Sequence, residues 1–390
     1  MNVINTSDLR LGQIFSEPVY MEGNNLLVAA FVPLRQKDIN ILTAWNIETV
    51  STMGFTVDPE EETQNTEVED ISPQNKEIPK FTISDVQQNS NPYRVYKNLI
   101  DKLDNAFNLF KSGDDLEMRT IDNISLQLLQ DLREYPDSFI GFILGGEISS
   151  QALAKSSVNT AILSALIAQE LKLPNHKIHY IVAGALLHDI GMLRLSRGIT
   201  EKKGGLSDAE REQIKSHPLY TSKIVTKELY GPREVNLIAL QHHERWDGQG
   251  YPDKLTGQAI DIGARIVSVA DAFEAMVSKK SYRSSLAGYQ AIKNLLADNA
   301  RRFDPAVIIT FTKIIGIYPI NSIVRLNNGS IARVTSIHAH APMRPVVQLL
   351  MDIKGSVVDP ENKISINLLD DKSLFIKEAV DPTEQSSQNV

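Results

Sequence analysis

Gln241-His242-His243-Glu244-Arg245-Trp246-Asp247-Gly248-Gln249-Gly250-Tyr251-Pro252 is the stretch on which the reading of this chain turns. Its two histidines close an apolar run, Val235 to Leu240, that reads as a helix. A loop with two glycines, an aspartate and a proline follows at once. Neighbouring helical side chains point about 100° apart, so a histidine pair seldom shares one face. Two imidazoles that converge anyway usually share a ligand such as a metal ion. Gly248 and Gly250 let the backbone turn sharply and come close to something. Alone, the stretch also fits a polar helix end followed by an ordinary loop.

Three further fragments shift that balance. In Ala185-Leu186-Leu187-His188-Asp189-Ile190-Gly191 an apolar helix end delivers an imidazole and a carboxylate side by side. That pair suits a divalent transition metal, and a carboxylate can bridge two ions. His217-Pro218 follows Glu210 and Ile214 on an expected helix; by itself it also fits a helix terminus. Asp271 lies among small and apolar residues, Arg265 to Phe273, where a buried carboxylate needs a partner or a metal. An exposed helical aspartate is the alternative there. His188, Asp189, His217, His242, His243 and Asp271 together form an ordered set that chance explains poorly.

The rest of the 390 residues sets the frame, and that length allows two or three domains. Hydrophobic content of 42% is ordinary for a globular protein. A net charge of −8 argues against a general binder of nucleic-acid polymers. With no cysteine there are no disulfides and no thiolate metal sites, which fits a reducing cytoplasm. No signal-like leader and no apolar run of about 20 residues is seen, so the expectation is a cytoplasmic protein with no membrane partner. Residues 1–57 read as a small α+β module. Its hairpin joins Pro18–Met21 to Leu26–Ala29, a helix spans Gln36–Trp45, and Ile47–Val50 returns as a strand. Asp58 to Asp70 holds seven acidic residues, and 58–92 is expected to be a flexible acidic linker. Val95, Leu99, Leu103 and Phe107 repeat every fourth residue, marking 93–140 as a helical connector or dimer contact. Residues 141–320 read as an all-helical core, 321–376 as a β-rich extension and 377–390 as a disordered tail. The fold class is mainly α.

The order His-Asp, His, His-His-Glu-x-x-Asp-Gly-x-Gly-Tyr-Pro, Asp resembles the HD-GYP domains, a subset of the HD metal-dependent phosphohydrolases. The likeness covers roughly residues 145 to 320 and is most specific over His242–Pro252. It implies hydrolysis of cyclic di-GMP at a site holding iron, manganese or another divalent transition metal. By that resemblance Asp189, His217, His242 and His243 hold one ion, and His188, Asp189 and Asp271 a second. Lys280 and Arg283 match basic positions that face substrate phosphate, Lys280 and Asp189 being the catalytic candidates. Gly250, Tyr251 and Pro252 shape the substrate loop. The implied partners are cyclic di-GMP and a second copy or another signalling protein. Three positions depart from the pattern. Ser156 stands where the family has a ligand histidine, and Ala152 where trinuclear members have a glutamate. Met192 replaces a phosphate-facing lysine, with Arg194 near it in sequence. These departures imply one or two ions rather than three, and open a second reading: a cyclic di-GMP-binding scaffold without turnover. A different HD-type nucleotide phosphohydrolase is a third. Ser156 itself either leaves the second ion short of a ligand or merely caps its helix. His176, His179, His338 and His340 are expected to be surface or structural.

Overall fold

The structure, a computed structural model, describes residues 2–21, 25–28, 33–57, 90–145, 151–200, 202, 204–278, 287–298, 301–359, 362, 364–371 and 373–380. The chain forms two units. One is helical, Ser84–Arg283 with Gln290–Ile314; the other joins Met1–Ile83, Ser284–Tyr289 and Ile315–Val390. The mainly helical class with an α+β start and a β-rich end is what the sequence leads one to expect.

In the helical unit, helix Asn91–Ser112 starts at the Ser90 cap, whose hydroxyl accepts from Tyr93 N, and stops at Gly113 with φ 91°. Its fourth-residue stripe continues in helix Met118–Glu134, and Leu99, Leu103, Ile121 and Leu128 are fully buried. The segment expected as a connector is therefore part of the unit's own core. Helices Ala152–Glu170 and Asn175–Leu187 carry apolar or small residues on every face, the pattern of central helices. Gly184 and Gly263 set the spacing around them: a Cβ at either would lie 2.7 Å from Ile238 side-chain atoms. Their lack of a side chain lets helices Asn175–Leu187, Arg233–Gln241 and Ile262–Ser278 close on Ile238. The first two of those helices end at His188 and His242, and the third carries Asp271.

The second unit contains a four-stranded antiparallel sheet in the order Asn2–Asn5, Thr49–Thr52, Val19–Met21, Asn25–Val28, with helix Gln36–Ala44. The expected hairpin is there; its turn, residues 22–24, lies outside the described residues. A five-stranded antiparallel sheet follows in the order Ser365–Asn367, Val346–Met351, Ile331–Ser336, Ile323–Leu326, Ile376–Ala379. Gly329 takes φ 90° in the turn after Asn328. Within this unit Tyr289 stacks on Tyr318 with ring centroids 5.2 Å apart. Asn25 donates to the Tyr318 hydroxyl (2.8 Å) and accepts from that of Tyr289 (2.9 Å). The two ends of the sequence thus share one unit. The last strand runs to Ala379, so ordered backbone continues past residue 376, where the tail was expected to begin. Most of the acidic linker, 58–89, and the end of the tail, 381–390, lie outside the described residues.

Candidate metal centre

The site begins with how three histidines spend one nitrogen. Each Nδ1 meets a carbonyl three residues back: His188 with Ala185 O (2.7 Å), His217 with Ile214 O (2.7 Å), His242 with Ala239 O (2.9 Å). Each sits where a helix ends and its last carbonyls lack intrahelical donors, so the ring supplies one. A carbonyl only accepts, so Nδ1 carries the hydrogen, and in the neutral ring Nε2 then presents a lone pair. The backbone thereby fixes the tautomer and aims the free nitrogens.

The free nitrogens converge. His217 Nε2 and His242 Nε2 are 3.2 Å apart. Two lone pairs at that distance repel unless a cation sits between them. Asp189 Oδ1 lies 3.0 Å from His217 Nε2 and 3.9 Å from His242 Nε2. The His243 ring stands 4.1 Å from that of His242 and 4.9 Å from that of His217, centroid to centroid. Asp189, His217, His242 and His243 place one ligand atom each within 4.8 Å of one another. Three nitrogens and a carboxylate oxygen at such spacing fit a divalent transition ion. On the other side, Asp189 Oδ2 is 3.5 Å and Asp271 Oδ1 3.6 Å from His188 Nε2. That nitrogen is buried without a hydrogen-bond partner.

Electrostatics agree with this donor set. Burial, then the neighbouring His243, holds His242 well below its ordinary pKa. Burial, then His217, takes His243 down to about 3. Both rings are therefore neutral at pH 7, the state ligation needs. Burial works to raise Asp189, but His188, His217 and His242 outweigh it and hold its carboxyl well below the usual range. His188 differs: burial presses it down, yet Asp189 and then Asp271 raise it to about 9, so at pH 7 this ring carries a proton on both nitrogens and must lose one before Nε2 can ligate.

The loop after His243 is tied from beneath by Glu244, 2% exposed. Its carboxylate accepts from Asp253 N (2.7 Å) and Leu255 N (3.0 Å). Gly250 passes so close to the turn before it that a Cβ would meet Arg245 N at 2.4 Å. This brings the Tyr251 ring to 4.9 Å from that of His243, with Pro252 after it. Burial raises the Tyr251 hydroxyl above its ordinary pKa, so it keeps its proton at neutral pH.

The structure thus brings together His188, Asp189, His217, His242, His243 and Asp271, with Gly250, Tyr251 and Pro252 beside them. Lys280 and Arg283 lie outside the described residues. Ser156 corrects an expectation. It is inside helix Ala152–Glu170, whose N-cap is Gln151, so it caps nothing. Its hydroxyl donates to Glu274 Oε2 (2.7 Å), not toward His188 or Asp271. Arg194 is held elsewhere too, bonded to Glu228 (2.7 Å) and lying over the Phe110 ring, so it does not replace the missing lysine. His179 pairs with Asp122 and His338 with Asn367, as structural histidines do.

Glu244, Glu274 and Thr221 were not read from the sequence. Two signals were available: Glu244 stands at the glutamate of the His-His-Glu motif, and Glu274 lies three residues after Asp271 and so on the same helical face. Thr221 links two ligand segments, donating to His188 O (3.0 Å) and accepting from Gly191 N (3.0 Å).

Residues 147–307 match the family model of the HD domain. Residues 323–388 match that of a KOW domain associated with HD domains. The chain is 32% identical over 246 residues to the cyclic di-GMP phosphodiesterase PdeB of Borreliella burgdorferi, 63% of this chain and 64% of that protein. It is 29% identical over 250 residues to a cyclic di-GMP phosphodiesterase of Pseudomonas aeruginosa, 63% of this chain and 58% of that one. Identity to a 3'3'-cGAMP-specific phosphodiesterase of Vibrio cholerae is 31% over 173 residues, 44% of this chain and 37% of that protein. The chain therefore spans less than two thirds of each of these relatives. Among the described residues no helix is long and apolar enough to cross a membrane.

Proposed function

We propose, from the match of residues 147–307 to the HD domain model, that this chain is an HD-GYP-type, metal-dependent phosphodiesterase acting on cyclic di-GMP. The observation that carries the reading is the 3.2 Å approach of the His217 and His242 Nε2 atoms beside the Asp189 carboxylate. Asp189, His217, His242 and His243 would hold iron or manganese; His188 and Asp271, with the second oxygen of Asp189, would hold another ion if one binds. A divalent cation there supplies positive charge for the phosphodiester and hydroxide near neutral pH.

The chain's own residues do the rest. Asp189 stays ionised and faces both sides of the site. The carbonyls of Ala185, Ile214 and Ala239 fix three imidazoles in the ligating tautomer. Tyr251 keeps its hydroxyl proton as a donor toward a phosphate or base. Gly250 and Pro252 bound the substrate loop, and Lys280 and Arg283 are the candidates to face phosphate. Incubating iron- or manganese-loaded protein with cyclic di-GMP and 3'3'-cGAMP, with separation of products, tests this. Linear dinucleotide or GMP should appear from cyclic di-GMP, and Asp189→Asn should abolish it. No product from a protein carrying stoichiometric metal would refute the catalytic reading.

One observation favours a second reading, a cyclic di-GMP-binding scaffold without turnover. The position of the expected ligand histidine is a serine committed to Glu274. Saturable binding of cyclic di-GMP by metal-loaded protein, with no product, would establish that reading instead.

A further inference from the structure

Two consecutive arginines are bound through their backbone to the loop that follows the histidine pair. Trp246 N donates to Arg302 O (3.0 Å) and Asp247 N to Arg301 O (2.9 Å). From there the two side chains part. Arg301 is exposed, and its charge acts, after that of Arg245, on Asp247. Arg302 is half-buried, its guanidinium carbon 4.9 Å from the centroid of the buried Phe303 ring. Its charge acts on the centre itself. Burial dominates the shifts of His243 and Tyr251, and Arg302 is among the charges that work to lower both. Screening confines such an influence to near surroundings.

Neighbouring cations are committed to carboxylates: Arg245 to Asp247 (2.7 Å), Arg265 to Asp304 (2.7 Å), Arg194 to Glu228 (2.7 Å) and Lys215 to Glu212 (2.6 Å). Among the described residues nothing accepts a hydrogen bond from the Arg302 guanidinium. Resting on Phe303 uses the flat face of that group and leaves its N–H edge free. A fork of this kind matches two oxygens of a phosphate.

We propose that Arg302 is a substrate-binding residue whose guanidinium edge pairs with a phosphate of the cyclic dinucleotide. This rests on the phosphodiesterase reading of the same centre. Each phosphodiester of such a ring carries one negative charge, and Arg302 offers the unspent positive charge beside Tyr251 and His243.

The test is equilibrium binding of the bisphosphorothioate of cyclic di-GMP, a hydrolysis-resistant analogue, to metal-loaded protein, alongside turnover of cyclic di-GMP. Arg302→Met keeps the length and the packing on Phe303 but removes the fork. It should weaken binding by about ten- to a hundredfold, the loss of a charge-assisted contact. KM should rise in step with little change in kcat, as loss of uniform binding gives. Arg302→Lys restores the charge without the fork and should recover part of the affinity. Arg301→Met, which removes an equal charge on the Asp247 side, should bind as the wild type does. Thermal melting checks that the variants are folded. Bis(p-nitrophenyl) phosphate, a phosphodiester without bases, should compete with the analogue, and less well in Arg302→Met. Binding by Arg302→Met equal to that of wild type, or an equal loss in Arg301→Met, would overturn the proposal. So would weaker analogue binding with unchanged competition, since the arginine would then read a base. Wild-type binding without product would refute turnover alone, and the Arg302 variants would still decide this contact. A wild type that does not bind the analogue would overturn both.

Discussion

A methyl group at Gly191 would press on the backbone that carries His217. The Cβ of Gly191→Ala would lie 2.3 Å from His217 O, 2.6 Å from Thr221 Oγ1 and 2.7 Å from Thr221 N. Carbon–oxygen contacts normally need roughly 3.3 Å, so the neighbouring helix start must retreat by about 1 Å. Two of the three obstacles are backbone atoms, which cannot rotate away. Overpacking of this kind costs about 1–3 kcal/mol. The same shift breaks the link through Thr221, which accepts from Gly191 N and donates to His188 O; each lost bond adds about 1 kcal/mol. The total is roughly 3–5 kcal/mol, or a fall of roughly 6–20 °C in Tm for a unit of this size. The His217 Nε2 to Asp189 Oδ1 spacing is 3.0 Å, and ligand distances tolerate only about 0.2 Å of error. Metal per chain should therefore fall severalfold. Differential scanning calorimetry and elemental analysis read both effects. Gly198→Ala is the control, since a Cβ there meets only Ser196 Oγ at 3.6 Å. Gly191→Ala with the melting point and metal content of the control would refute the reasoning.

Other outcomes follow from the same geometry. Glu244→Ala removes the acceptor of two backbone N–H groups and should cost about 2–4 kcal/mol in urea unfolding, Glu244→Gln less; a loss under about 0.5 kcal/mol would mean the loop is held by something else. Glu210 is held down to about 2, first by the Lys202 ammonium and then by Ser207 N–H. Its folded pKa is depressed, so the stabilisation is present above the ordinary glutamate pKa and is lost as pH falls toward 2. The stability gap between wild type and Glu210→Gln should stay level above pH 5 and close as the solution is acidified; a gap that widens instead would reverse the sign argued here. Ser156→His with Glu274→Gln should raise metal per chain above the wild type, and no gain in that double variant would sink the idea that Ser156 leaves the second side short of a ligand.

The convergence of the histidines was legible because helix ends announce themselves. Apolar runs stop at His188 and His242, a two-glycine loop follows His243, and Pro218 follows His217. Each of those signals is local. What stayed hidden depends on tertiary contact. Glu244 stands in the motif, but its role as a tie is not legible until Asp253 N and Leu255 N are seen to reach it. Thr221 gains its role only because two ligand segments meet at its hydroxyl. The helices expected as a connector look like any amphipathic stripe, and periodicity does not say which partner buries it. The sharing of one unit by the N-terminal module and the C-terminal extension is long-range too, carried by Asn25, Tyr289 and Tyr318. No local pattern encodes such a pairing.

Ser156 shows why the two sides of the centre differ in kind. Motif reading treats it as a missing histidine, that is, as a deficit. In the folded chain it is one of three neutral donors to a buried carboxylate. Glu274, 3% exposed, accepts from Ser156 (2.7 Å), Asn159 (3.2 Å) and Ser278 (2.6 Å). Tyr96 donates to Asn159 Oδ1 (2.7 Å), which orients the amide toward Glu274. A carboxylate has about four acceptor positions, so most of this one's capacity is filled without a cation. Burying it unpaired would be costly, and Ser156 is part of what offsets that cost. Removing the hydroxyl alone therefore costs about 1–3 kcal/mol before any metal is gained. A histidine at 156 must either donate to Glu274 in the serine's place or turn toward Asp271, one helical turn away, and leave Glu274 a donor short. In the first case metal content is unchanged and stability is kept; in the second, metal rises while stability falls. Combining Ser156→His with Glu274→Gln separates the two, because an uncharged residue at 274 no longer competes for the ring. Metal uptake by the double variant that exceeds that of Ser156→His would identify the Ser156–Glu274 pair as what keeps the second side closed.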